Sequence, residues 1–93
     1  MKKAVHFTFR LYVAGDAPNS TQAIANLRAL CSEHLPERYE IEIVDVLHEP
    51  KRALADGVFL TPMLVKTSPG PIRKIVGSLS QRQPVLQALG LPA

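Results

Sequence analysis

One cysteine, three histidines and a carboxylate at a strand end are the side chains with most chemistry to offer in this 93-residue chain. Cys31 could serve as a redox thiol or a nucleophile. A reactive thiolate needs a helix N-terminus or a neighbouring cation. Cys31 instead falls late on a helical stripe with Leu27 and Leu30, where the dipole disfavours an anion, so its position reads as that of a small buried hydrophobe. With one cysteine, no intramolecular disulfide can form. His6, His34 and His48 show no metal-ligand spacing; one lies on the outward face of a strand, one near a helix end and one in a loop, which suits solvated or capping roles. Asp45 ends an apolar strand and is expected to be partly buried with an altered pKa, yet a lone carboxylate lacks the partner that acid–base work requires. No Ser/His/Asp order, Walker loop or GxGxxG occurs, and the single Gly15 makes no phosphate cradle. The sequence therefore predicts no catalytic residue, no metal and no cofactor.

Charge points the same way. Eleven basic and eight acidic residues give a net charge of +3, and no Lys/Arg run exceeds two residues, so nucleic acid is not an expected partner. The pairs Lys51-Arg52 and Arg73-Lys74 read as solvated charge or as an electrostatic rim for an acidic protein partner. On a strand, Arg73 and Lys74 would point to opposite faces. Hydrophobic content of 46% supplies one core. Met1-Lys2-Lys3 is not followed by an apolar signal region, and no apolar run approaches the roughly 20 residues of a bilayer span. A cytoplasmic, reducing setting without membrane contact is expected.

The elements that position these residues follow from periodicity. Val5, Phe7, Phe9, Leu11 and Val13 alternate with His6, Thr8, Arg10 and Tyr12, the pattern of a strand with one apolar face. Gly15 to Pro18 turns the chain, and Asn19 or Ser20 can cap a helix whose stripe is Ala23, Ile24, Leu27, Leu30 and Cys31. Leu35-Pro36 closes it. Tyr39, Ile41 and Ile43 begin a second strand that Val44-Asp45-Val46-Leu47 continues, completing a parallel βαβ unit. Pro50 opens a short helix and Gly57 stops it. Met63–Thr67 and Ile72–Gly77 flank the Ser68-Pro69-Gly70-Pro71 turn as an antiparallel hairpin. Ser80 and Gln83 form a capping box for a last helix through Val85, Leu86 and Leu89, with Pro84 in its first turn and Gly90 as its stop. The order β-α-β-α-β-β-α predicts one α/β domain spanning residues 1–93, with a four-stranded mixed sheet and helices on both faces.

This plan resembles the thioredoxin-like fold. Redox members carry paired cysteines at the first strand-to-helix junction, where Gly15-Asp16-Ala17-Pro18-Asn19 offers none. Thr61-Pro62 resembles the Thr-Pro pair that precedes their third strand, which implies a cis bond facing that turn. A monothiol oxidoreductase using Cys31 is the alternative function this likeness leaves open.

A closer resemblance is carried by Leu11-Tyr12-Val13-Ala14-Gly15, Pro18-Asn19-Ser20, Val44-Asp45-Val46-Leu47 with Pro50, Thr61-Pro62, and Pro71-Ile72-Arg73-Lys74-Ile75-Val76-Gly77 with Leu79-Ser80. Together these blocks look like the KaiB family of circadian clock proteins, and the sensor domain of the histidine kinase SasA is similar in fold. The likeness implies a non-enzymatic adaptor that binds the N-terminal ATPase ring of a KaiC-type kinase and modulates its phosphorylation. A histidine kinase or KaiA-like protein is a further implied partner, as is a homo-oligomer through an alternative packing of the C-terminal half. It implies a partner surface of Glu49, Pro50, Lys51 and Arg52, joined by Arg73 and Lys74, and a strand-addition edge at residues 40–45. Ala88 and Gly90 stand where clock members usually carry glycine and aspartate, which should favour the last helix and hence the thioredoxin-like form. Glu42 and Gly57 replace lysines common in the family.

Overall fold

In a computed structural model, which describes residues 5–91, the chain forms β1 (Phe7–Val13), α1 (Pro18–His34), β2 (Tyr39–Asp45), α2 (Pro50–Ala55), β3 (Met63–Ser68), β4 (Arg73–Val76) and α3 (Arg82–Leu89). The strands assemble in the order β2-β1-β3-β4. β2 runs parallel to β1, with Phe7 opposite Tyr39 and Val13 opposite Asp45. β3 is antiparallel to β1 and β4 antiparallel to β3.

Alternation along β1 divides the core in two. Phe7, Phe9, Leu11 and Val13 meet Ala23, Leu27, Leu30 and Cys31 of α1 and Val85, Leu86 and Leu89 of α3. Tyr12 points to the opposite face and packs with Val44, Met63 and Val65 under Ala53 of α2 and Val58. Helices thus cover both faces, as the pattern predicts. The Thr61–Pro62 bond is cis.

Three local expectations are corrected. α1 begins at Pro18 after Ala17, with no side-chain cap. Proline suits the first helical position because its missing N–H would have no partner there, and this start places Ser20 inside the helix. The Ser20 hydroxyl, buried, accepts the Ala14 N–H at 3.1 Å instead of capping. α3 starts at Arg82 after an extended Gln81, again with no side-chain cap, so Ser80 and Gln83 form no capping box. β2 ends at Asp45 rather than Leu47. The Asp45 carboxylate accepts the N–H of Leu47 at 2.9 Å and of Gly15 at 3.2 Å, and such bonds from an aspartate to the backbone two residues on favour a turn.

The end of α3 is fastened twice. Gly90 takes the left-handed φ of 74°, which glycine adopts without steric cost. Its N–H reaches the Gln87 carbonyl at 3.1 Å, and the Leu91 N–H reaches Leu86 at 2.9 Å, the paired bonds that commonly close a helix. Lys66 of β3, buried, donates from Nζ to the Leu89 carbonyl at 3.3 Å and lies 5.8 Å from the centre of the Phe7 ring.

Candidate partner-docking surface

The corner between β1 and α1 carries no sulfur. Gly15 sits there at φ 54°, and a Cβ on it would stand 3.5 Å from the Leu47 side chain. Asp16, Pro18 and Asn19 around it are exposed. Cys31 lies far along α1, fully buried, and burial pushes its thiol up to about 12. A thiol held protonated and out of solvent is inert as a nucleophile.

The histidines behave unequally. His6 is exposed with Nε2 3.9 Å from Glu40, and His48 is exposed with Nε2 3.6 Å from Asp45. His34 departs from expectation: it ends α1, but its Nε2 is buried without a hydrogen-bond partner among the described residues. Asp45 is held below the usual carboxylate range, first by the Leu47 N–H and then by that of Gly15. No group of three or more potential metal ligands occurs among the described residues.

Chemistry of another kind gathers beneath α2, from residues distant in sequence. Arg10 of β1 donates through Nε to Glu42 at 3.1 Å and through Nη1 to Asp56 at 2.7 Å. Arg52 of α2 reaches Glu42 at 2.8 Å and Glu49 at 3.4 Å. The buried Tyr12 hydroxyl donates to the Asp56 carboxylate and lies 3.3 Å from the Arg52 carbonyl. Lys74 Nζ donates to the Asp56 carbonyl at 2.6 Å. These contacts hold Glu42 down to about 2, mainly through Arg52 and then Arg10. Asp56 is lowered first by the Tyr12 hydroxyl and then by Arg10. Tyr12 is raised, chiefly because burial disfavours its anion. The lattice satisfies its own charges, and it serves as a mount for α2 rather than a reactive centre.

On the outer side of that mount, His48, Glu49, Pro50, Lys51 and Arg52 line a shallow cleft of about 360 Å³. Lys51 is exposed and makes no ion pair among the described residues. Leu54, Phe59 and Leu60, which follow in the chain, are 66%, 82% and 64% exposed. Lys74 joins this face by reaching the end of α2. Arg73 does not: it pairs in register with Lys66, whose side chain lies on the α1/α3 side. Period two along β1 could have flagged Arg10 and Tyr12 as α2-facing, but nothing local marks Glu42 and Asp56 as their partners. Ala88 is exposed on α3. The outer side of β2, residues 40–45, has no neighbouring strand among the described residues.

Comparison with known proteins places this arrangement. The KaiB domain family model matches residues 10–91. The circadian clock protein KaiB3 of Synechocystis sp. is 42% identical over 82 residues, covering 88% of this chain and 80% of that protein. The circadian clock oscillator protein KaiB of Microcystis aeruginosa is 41% identical over 85 residues, covering 91% and 82%. Among solved structures, the N-terminal domain of Synechococcus elongatus SasA superposes with a TM-score of 0.75 at 19% identity, covering 97% of this chain and 89% of that one. Mitochondrial thioredoxin 3 of Saccharomyces cerevisiae gives 0.70 at 19% identity, covering 96% and 79%. These two show the fold alone, which is thioredoxin-like. The chain belongs to the KaiB family.

Proposed function

We propose that this KaiB-family chain is a non-catalytic clock-type regulator that binds the N-terminal ATPase ring of a KaiC-type kinase and modulates its phosphorylation state, in circadian timing or in a KaiC-linked stress response. The observation that carries the reading is the family match across residues 10–91. The chemistry of the surface supports it. Exposed Glu49, Pro50 and Lys51, half-buried Arg52 and exposed Leu54 in and beside α2, with exposed Phe59 in the segment that follows, give a mixed surface, and such a surface suits recognition, with apolar anchors for affinity and rim charges for on-rate and register. Lys74 extends it, and Arg73 would serve a contact wrapping the sheet margin.

The margin of β2 suits a second partner, a KaiA-like protein or a histidine kinase, through backbone hydrogen bonds that tolerate changes of side chain. Ala88 and Gly90 favour the thioredoxin-like packing over the alternative in which copies of the chain associate as a homo-oligomer. A cytoplasmic setting is part of this proposal. No helix among the described residues is long and apolar enough to cross a membrane.

Co-precipitation with purified KaiC, with and without ATP, tests the reading. A complex is expected, weakened about tenfold or more when Lys51→Glu and Phe59→Ala are combined. Absence of a complex in both conditions refutes it. Disulfide reductase turnover that is lost on alkylation of Cys31 would establish the oxidoreductase alternative instead.

A further inference from the structure

We propose that the outer margin of β4, which shares Lys74 with the α2 face, is a further docking site that takes an extended acidic segment of a partner chain as a fifth strand. This inference does not depend on KaiC binding.

The register identifies the backbone groups on offer. The Gly77 N–H bonds the Pro62 carbonyl at 2.9 Å, and the same register sets Ile75 opposite Leu64 and Arg73 opposite Lys66. Hydrogen-bonded pairs alternate along an antiparallel ladder. Gly77, Ile75 and Arg73 therefore turn their backbone groups toward β3, and Lys74 and Val76 turn theirs outward. On that outer side no strand lies among the described residues.

The side chains along this margin are unusual for one that is simply solvated. Ile72 and Val76 are 61% and 51% exposed. They share a face with Lys74 by strand alternation, so apolar, cationic and apolar positions succeed one another. An open groove of about 610 Å³ runs beside Lys74–Gln81, against the Pro84, Val85 and Ala88 side of α3. Exposed margins are ordinarily protected by short length, charge, proline, bulges or covering segments; Arg73–Val76 has the first two and is covered by no strand among the described residues.

Those cations select the occupant. A second copy of β4 laid antiparallel would bring Arg73 and Lys74 of both strands together, and like charges on facing strands repel. A segment with carboxylates near Lys74 and Arg73 and apolar residues near Ile72 and Val76 would satisfy charge, backbone and groove together. Lys74 reaches only the carbonyl of Asp56, at 2.6 Å, because the Asp56 carboxylate is engaged by Arg10 and Tyr12.

The test is an amide-resolved NMR titration of the full chain with two short, end-capped peptides, one with two adjacent glutamates flanked by valines, the other with lysines in place of the glutamates. The valine–glutamate peptide is expected to shift and protect the Lys74 and Val76 amides, and the valine–lysine peptide to leave them unmoved. Val76→Pro removes an outward donor where proline is tolerated and should abolish the response while keeping a dispersed spectrum. Lys74→Glu should weaken the acidic peptide about fivefold and favour the basic one. No response at Lys74 and Val76, equal responses to both peptides, or an undiminished response in Lys74→Glu would overturn the proposal.

Discussion

Arg10 Nη1 lies 2.7 Å from the Asp56 carboxylate, joining a central strand to the residue that ends α2. Tyr12 donates to the same carboxylate and Lys74 to the Asp56 carbonyl. One residue thereby fastens β1, α2 and β4. A six-residue helix has little stability of its own, so the position of α2, and of whatever docks there, depends on this fastening.

Asp56→Ala leaves the buried Tyr12 hydroxyl without its carboxylate acceptor and Arg10 with one anion fewer. A loss of about 1–3 kcal/mol is expected, read from urea unfolding. In a Tyr12→Phe background the same substitution should cost less, since coupled residues are not additive. Equal costs in both backgrounds would remove Tyr12 from the fastening.

Acid should loosen the mount. Folding lowers Glu42 to about 2 and also depresses Asp56. For groups depressed in this way, the stabilisation is complete above the unfolded pKa, about 4, and is lost as pH falls through the folded value. The melting temperature should be level from neutrality to about pH 5 and then decline toward pH 2. Glu42→Gln should make that decline shallower. Melting scans over this range check both, and an unchanged slope in Glu42→Gln counts against the Arg52 and Arg10 contacts.

Gly90 at φ 74° closes α3, and Ala88 sits within that helix. Gly90→Asp should cost about 1 kcal/mol through its left-handed backbone, and Ala88→Gly about 1 kcal/mol through helix propensity. Together they should lower the helical population over residues 82–89, measured by NMR secondary shifts. Retained helicity in the double variant would separate α3 from control by these two positions.

Cys31 should resist thiol reagents at mildly alkaline pH until the protein unfolds, because its thiol is buried and pushed up to about 12. Cys31→Ser should destabilise by about 1–3 kcal/mol, as an unpaired hydroxyl would replace a hydrophobe. Stoichiometric labelling under native conditions would contradict the burial.

Much of the fold was legible because it is written in periods. The alternation of Phe7, Phe9, Leu11 and Val13 and the stripe through Leu27 and Cys31 each need only neighbours to be recognised. Pro50, Gly57 and Gly90 marked helix ends through backbone constraints of their own. What escaped depends on residues distant in sequence. Ser20 is of a capping residue type, yet its hydroxyl accepts the Ala14 N–H that follows β1. Nothing local to Lys66 shows that it is buried with its ammonium on the Leu89 carbonyl at the end of α3. The mount under α2 brings together Arg10, Glu42 and Asp56, whose meeting is settled only when β1, β2 and α2 come together.

The strand order places the two unsaturated margins of the sheet in different halves of the chain. β2 belongs to the β1-α1-β2 half and β4 to the half that follows α2. Three strand spacings, about 14 Å in all, separate them, and each presents a backbone ladder of its own. If both margins take partner strands as proposed, the two added chains would lie at opposite sides of the sheet, and neither would have to displace the other.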